Sequence, residues 1–269
     1  MTTFRIRPAA PRDHAAYLRL FPELGRADPY PTKSEWARRL MPTTFVLELE
    51  GRVVAYCLWS VRQRLRVVEL VVERSWRGHG LGRRLLHEVA EHFRHLGVSE
   101  WEINVREGNA SAIHLYESVG FRTHARWYEL RVPWTAADEL PRDSTLLRTS
   151  PVQPRELGFL ERQFQLWPGT LYRRLKTTAG NVLLSLHTSA GALGGVAAFS
   201  PSFAQADPFC IRQIEWAGAL IEGLAQYREP EDDAFLLTVE HEPLAAALHH
   251  AGATSVLTVL EMRGRIPGA

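Results

Sequence analysis

The stretch Val72-Glu73-Arg74-Ser75-Trp76-Arg77-Gly78-His79-Gly80-Leu81-Gly82 decides the reading of this chain. A β-branched run, Arg66–Val72, leads into it. Behind it, Gly80–Leu96 keeps Leu81, Leu85, Leu86, Val89 and Phe93 on one helical face. Three glycines in five residues leave the backbone open between strand and helix, so its N–H groups can point at an anion. Arg77, Arg83 and Arg84 add positive charge around the same turn. The arrangement suits a pyrophosphate. Further on, Asn109-Ala110 leads through Tyr116 to Gly120-Phe121. The two landmarks together point to a cofactor-dependent enzyme.

Working outward, Phe4–Arg7 reads as an opening strand ended by Pro8, and Asp13 as the cap of a helix running to Leu20. Residues 21–33, broken by Pro22, Gly25, Pro29 and Pro31 and carrying Tyr30, read as a loop over a pocket or a helix–helix connection. Ser34–Leu40 is a short helix. Thr44–Glu50 and Val53–Val61 are strands joined at a Glu50-Gly51 hairpin turn. Ser99–Val105 is a strand, Ala110–Val119 a helix capped by Asn109, and Phe121–Arg131 a closing strand. Residues 134–150 change to a proline- and acid-rich composition and read as a linker between domains 1–133 and 151–269.

In the second half, Pro154–Leu166 is a helix, Val182–His187 and Leu193–Ser200 are strands, Ile214–Tyr227 is a helix, and Phe235–Val239, Pro243–Ala251 and Ser255–Glu261 are strand, helix and strand. A strand between 205 and 213 has poor support. Asn109–Arg131 lies over His241–Arg263 without a gap, matching Gly120 to Gly252, Glu129 to Glu261 and Arg131 to Arg263. This predicts a tandem repeat of one α/β fold.

A net charge of +2 with scattered arginines gives no reason to expect nucleic acid as a partner. Cys57 and Cys210 lack metal-ligand spacing, and His249-His250 adjoins no carboxylate at such spacing, so no metal is expected. No apolar run reaches membrane length, and Arg5, Arg7, Arg12 and Asp13 interrupt any signal peptide, so no membrane partner and a cytoplasmic location are the expectation. Oligomeric state is not legible.

Residues 4–131 resemble the GCN5-related N-acetyltransferase (GNAT) family. The family's Arg/Gln-x-x-Gly-x-Gly/Ala is complete at Arg77-Gly78-His79-Gly80-Leu81-Gly82. Its later signature is matched by Asn109-Ala110-Ser111-Ala112-Ile113-His114-Leu115-Tyr116-Glu117-Ser118-Val119-Gly120-Phe121. The resemblance implies an acyl-CoA N-acyltransferase fold, a mixed, mostly antiparallel sheet flanked by helices. It also implies acetyl-CoA as donor and direct transfer to an amine in a ternary complex. By the same resemblance, the backbone of 77–82 cradles the pyrophosphate, His79 included, with Arg77 and Arg83 beside it. Leu70, Val71 and Val72 form the strand edge that pairs with pantetheine, and Asn109 lies near the cofactor.

Tyr116 is then the general acid for the leaving thiolate and Glu69 the candidate base, while Asn104 can orient water or amine. Strand alternation sets Glu69 and Val71 on one face and Leu70 and Val72 on the other, and does not say which face meets the acceptor. Tyr30 is a candidate acceptor contact. The acceptor is a small-molecule amine or a protein N-terminus. Two alternatives stand beside this reading: a non-catalytic acyl-CoA-binding or sensory module, and an acyltransferase using a longer acyl-CoA. The second half lacks the glycine turn, reading Asp207-Pro208-Phe209-Cys210-Ile211-Arg212-Gln213 there, and sets His241 and Leu248 against Asn109 and Tyr116. It resembles a degenerate copy without a cofactor site.

Overall fold

The computed structural model describes residues 4–25, 29–61, 64–177 and 180–266. The chain forms two compact units, one made of the residues up to Ala125 together with those from Leu260 on, the other of Arg126–Val259. In the first unit, β1 (Phe4–Pro8), α1 (His14–Leu20) and α2 (Lys33–Glu35) precede the hairpin of β2 (Thr44–Leu49) and β3 (Arg52–Val61). Both hairpin-turn residues take positive φ, Glu50 at 49° and Gly51 at 81°, the twist that closes a tight two-residue turn. Then come β4 (Leu65–Val72), α3 (Leu81–Arg94), β5 (Glu100–Arg106), α4 (Ala110–Ser118) and the start of β6 (Arg122–Pro133). Strands β1 to β4 run antiparallel in order, and β4 pairs with β5 in parallel.

Helices cover both faces of this sheet. On one face α3 buries Leu81, Leu85, Leu86, Val89 and Phe93 against Leu47, Cys57, Trp59 and Val67. Each such side chain contributes about 1.5–3 kcal/mol of burial. Beyond Arg94 the chain turns off at Gly97, whose φ of 76° accompanies a 3.0 Å bond from the Val98 N–H to the Phe93 carbonyl, a left-handed cap. On the other face Tyr17, Leu20 and Phe21, with Trp36 and Leu40, pack on Val46, Tyr56, Leu58 and Val71.

The second unit holds α5 (Ala136–Glu139), β7 (Leu147–Pro151), α6 (Leu157–Gln163), α7 (Thr170–Thr177), β8 (Val182–Thr188), β9 (Leu193–Ser200), β10 (Gln205–Ile211), α8 (Ala217–Ala225), β11 (Ala234–Val239), α9 (Glu242–His250) and the start of β12 (Thr254–Arg265). Its strand order is β6-β11-β10-β9-β8-β7, with β10 and β11 parallel. The weakly supported strand is real. Its proline sits at a register shift between Ala206 and Phe209, where a missing N–H does no harm to the ladder.

The repeat is visible element by element. Helices α4 and α9 each span 9 residues, and β6 and β12 each span 12, at the gapless offset read from the sequence. Gly120 and Gly252 both adopt left-handed φ, 99° and 93°. The fold is thus a tandem repeat of a mixed, mostly antiparallel sheet flanked by helices, as expected.

The unit boundaries differ from 1–133 and 151–269. From Arg126 on, β6 belongs to the second unit, where Tyr128 to Pro133 pair with Val239 to Ala234. From Leu260 on, β12 belongs to the first unit, where Leu260, Met262 and Ile266 join the core of Trp101 and Phe121. Each half's last strand therefore ends in the other unit, and alternating apolar residues read the same whichever sheet receives them. Residues 134–150 are not a linker. Trp134, Ala136, Ala137 and Leu140 are buried in the second unit's core, and 147–151 form a strand.

Candidate active site

Strand β4 carries a bulge. Leu58 of β3 partners Glu69 and Trp59 partners Val67, so Val68 is the extra residue. Before it, Leu65 and Val67 face α3; after it, Leu70 and Val72 do, and Glu69 and Val71 are turned to the face covered by α1. A bulge re-aims every side chain beyond it. It answers which face Glu69 takes, a question that alternation alone left open.

Among the described residues, β4 and β5 pair only at Leu65–Trp101, Arg66–Glu102 and Val67–Ile103, although both strands run on to Val72 and Arg106. Past Val67 the two strands part. Beside the later part of β4 lies a cavity of about 520 Å³ lined by Leu70, Val71 and Val72 on the strand, Arg77, Gly78, Gly80, Leu81, Gly82 and Arg83 on the turn, and Asn109, Ser111, Ala112, His114, Leu115 and Tyr116 at α4.

The turn's glycines have distinct reasons. Gly78 and Gly80 sit at φ 80° and 76°, a region that costs other residues about 1–2 kcal/mol. Gly82 is helical, but a Cβ there would lie 3.0 Å from Leu115 Cδ2. The first N–H to bond back is that of Arg84, to the Gly80 carbonyl at 3.1 Å. The N–H groups of Leu81, Gly82 and Arg83 thus lack helical acceptors and carry the positive end of the helix dipole into the cavity. These residues fit a CoA pyrophosphate.

Asn109 caps α4 by accepting the Ala112 N–H at 3.2 Å. Tyr116, two turns along, is 6% exposed and lines the cavity. Burial, and then the neighbouring Cys57, push its phenol well above the usual range. It therefore stays protonated, with a hydroxyl that can donate or accept a hydrogen bond. Cys57 is fully buried, and burial followed by the nearby Glu69 carboxylate raises its thiol far out of the nucleophilic range. On the opposite face of the sheet, Glu69 is 6% exposed and its Oε2 accepts the hydroxyls of Tyr56 at 3.0 Å and Tyr17 at 3.2 Å.

The remaining expected residues separate. Arg77 lines the cavity, but its guanidinium donates to the Val72 carbonyl at 3.1 Å and to Glu23 at 2.7 Å. His79 does not line the cavity; its Nδ1 lies 3.0 Å from the Arg77 carbonyl and its ring 5.8 Å from that of Trp76. Arg84 stacks on Phe4 at 4.1 Å instead. Asn104 is exposed on β5, and Tyr30 is exposed against Phe21 at 5.6 Å; neither lines the cavity. Residues 26–28 of the proline-rich loop lie outside the described residues.

Sequence reading missed Glu23, Tyr17 and Tyr56. Nothing in spacing ties Glu23 to Arg77, 54 positions on, or Tyr17 to Glu69, 52 positions on, and the 13 positions between Tyr56 and Glu69 span a hairpin whose register the bulge sets. Among the described residues no cluster of three or more His, Cys, Asp or Glu side chains could hold a metal, and no helix is long and apolar enough to cross a membrane.

Residues 14–121 match the model of the Acetyltransferase (GNAT) family. The ribosomal protein bS18-alanine N-acetyltransferase of Escherichia coli is 33% identical over 78 residues, which are 29% of this chain and 53% of that protein. Streptothricin acetyltransferase of Streptomyces lavendulae is 37% identical over 68 residues, 25% of this chain and 35% of that enzyme. The chain thus spans about half, or less, of the curated relatives it matches. A GCN5-related N-acetyltransferase from Sphaerobacter thermophilus superposes over 99% of this chain and 97% of its own, with a TM-score of 0.67 at 19% identity. A tandem GNAT protein from the clavulanic acid biosynthesis pathway covers 99% and 100%, with a TM-score of 0.60 at 18% identity. At these identities the two structures speak for the fold alone.

Proposed function

With residues 14–121 matching the acetyltransferase (GNAT) family model, we propose that this chain is an N-acetyltransferase that uses acetyl-CoA to acetylate a primary amine, on a small molecule or a protein N-terminus. The observation that carries the reading is the pairing of two features across one parted strand edge. The glycine turn and Tyr116 line the cavity on one face, and the Glu69 carboxylate stands on the other. Acetyl-CoA supplies an activated thioester. The N–H groups of Leu81, Gly82 and Arg83 hold its pyrophosphate, and the edge of Leu70–Val72 aligns the pantetheine arm.

Glu69 takes the ammonium proton, directly or through water, so that the amine attacks as a neutral nucleophile. The Tyr116 hydroxyl donates to the sulfur as charge collects there, which is worth about 10² to 10⁴-fold for a well-placed acid. No protein nucleophile is required, and Cys57 is too deeply buried and too weakly acidic to act as one. Transfer is therefore direct, within a ternary complex.

Calorimetric titration with acetyl-CoA, followed by CoA release across a panel of amines and peptides, tests the proposal. We expect one acetyl-CoA per chain and turnover with at least one amine class. A folded chain with no binding at tens of micromolar sinks it. Tight binding without turnover converts the chain into a binding module. Faster turnover with propionyl- or succinyl-CoA reassigns the donor.

A further inference from the structure

The side chains that meet Glu69 come from separate parts of the chain. Tyr17 lies on α1 and Tyr56 on β3, and their hydroxyls converge on the same carboxylate oxygen at 3.2 and 3.0 Å. All three residues are buried, at 2%, 0% and 6% exposure. The rings have no freedom to turn away. Tyr17 packs at 4.8 Å on both Tyr56 and Trp36 and at 5.7 Å on Phe21. The bulge at Val68 directs Glu69 to this face; without it the carboxylate would point at α3.

A carboxylate on a free side chain turns about its last bonds, and a base must present a lone pair in one direction. Two phenol donors on one oxygen fix the plane of the carboxylate. Phenols are suited to the task because they donate while remaining neutral, and so attract no competing charge.

We infer that Tyr17 and Tyr56 are positioning residues for Glu69, fixing the direction of its carboxylate in the acceptor half of the site. The inference rests on the reading of Glu69 as the base. Titratable groups brought to Glu69 include Tyr17 from α1 and Tyr56 and Cys57 from β3. His14 on α1 is turned to the Pro31 carbonyl at 3.3 Å and the Trp36 ring at 6.1 Å, and Arg106 at the end of β5 donates to the Gly25 carbonyl at 3.1 Å.

The test is the pH profile of kcat/KM for the full chain and for Glu69→Gln, Tyr17→Phe, Tyr56→Phe and Trp36→Phe, with acetyl-CoA affinity and thermal midpoint measured alongside. Phenylalanine keeps each ring and removes only the donor. Trp36→Phe perturbs the same aromatic cluster at a residue whose indole N–H has no hydrogen-bond partner among the described residues. Glu69→Gln should abolish the rising limb. Tyr17→Phe and Tyr56→Phe, each removing a donor from the carboxylate, should each move that limb to higher pH, with a roughly tenfold loss of kcat/KM at a fixed pH below it and acetyl-CoA affinity unchanged. Trp36→Phe should lower the thermal midpoint and leave the limb in place.

If Glu69→Gln abolishes the limb but both tyrosine variants keep it at the wild-type pH, the positioning role is wrong while the base survives. Trp36→Phe shifting the limb as far as the tyrosine variants do would also overturn it, because packing alone would then explain the effect. If Glu69→Gln keeps the limb, the base assignment itself fails, and the inference falls with it.

Discussion

The turn after β4 and the turn after β10 begin from the same skeleton and end with opposite uses of space. In the first unit Gly78 and Gly80 swing the backbone through left-handed φ, and the second residue of the following helix, Gly82, borders an open cavity. In the second unit β10 ends at Ile211, a short 3-10 turn intervenes, and the second residue of α8 is again a glycine, Gly218. Yet the space beside Gly218 is filled. A Cβ there would meet the Ala137 carbonyl oxygen at 2.7 Å. Trp216 lies across Gly194, and its indole N–H donates to Asp143 at 3.0 Å.

The later helix shows the same division. Asn109 and His241 both cap their helices, accepting the N–H groups of Ala112 and Leu244 at 3.2 and 3.3 Å, and Tyr116 and Leu248 are both buried. Capping and packing have kept the frame of the second unit. Among the described residues, what the second unit lacks at these places is the left-handed turn and the phenol, the parts suited to approach CoA and give up a proton.

The largest difference should appear at the aligned pair Tyr116 and Leu248. Tyr116→Phe should lower kcat by about 10² to 10⁴-fold with little change in acetyl-CoA affinity. Leu248→Ala should instead cost about 2–5 kcal/mol of stability, read by denaturant unfolding, with turnover per folded molecule retained. Equal kinetic effects at the two positions would erase the comparison. The pH behaviour sharpens it. Because burial, then Cys57, raises the Tyr116 phenol, its ionisation should produce no falling limb in kcat up to about pH 10, where a free phenol titrates. The sign for stability follows: the term favouring the folded state is complete below that pH. It is lost as pH rises toward the folded value, since only the unfolded phenol can then ionise.

A second contrast lies in the two glycines. Gly82→Ala places a methyl 3.0 Å from a flexible leucine tip at the edge of the cavity. Acetyl-CoA affinity should fall by about tenfold or more, with a stability loss under about 1.5 kcal/mol. Gly218→Ala drives a methyl into a backbone carbonyl, which cannot yield as a side chain does. It should cost about 1–3 kcal/mol and leave acetyl-CoA affinity as it was. Calorimetry and thermal unfolding on both variants separate the outcomes. Loss of affinity in Gly218→Ala would mean that the second unit takes part in binding after all.

The contrast also marks what the sequence could and could not disclose. Glycines, N-caps and the phenol announce themselves, because left-handed φ, first-turn amides and a proton donor each demand particular residue types. That is why the turn at 77–82, Asn109 and Tyr116 were legible, and why the repeat could be read without a gap. The facing of Glu69 was not legible. It depends on one bulge at Val68, which adds a residue without a glycine or proline to mark it. The exchange of β6 and β12 between units was hidden for a related reason. A strand's pattern records that one face is buried and says nothing of which sheet buries it. Residues 134–150 misled through composition, since a few small apolar residues, Ala136 and Ala137 among them, are enough to seal a helix against a glycine-bearing partner.

The smallest predicted effect concerns the arginine that follows the strand in each unit. Arg77 is expected to meet the pyrophosphate, but its guanidinium is shared with Glu23 at 2.7 Å, and Glu23 itself lines the cavity. Arg77 is 51% exposed, so the pair is well screened and is worth about 0.2–1 kcal/mol. Pyrophosphate and carboxylate compete for one cation, and the carboxylate also adds like charge beside the phosphates. Glu23→Gln should therefore tighten acetyl-CoA binding by up to about fivefold, with the gain shrinking as salt rises. In the second unit Arg212 is held by Gln163 at 2.9 Å and lies over the Phe164 ring at 5.4 Å. Arg212→Ala should leave acetyl-CoA affinity unchanged at every ionic strength. Weaker binding in Glu23→Gln would mean that this carboxylate supports the ligand, and Arg77 would then have to be read as a brace for the loop.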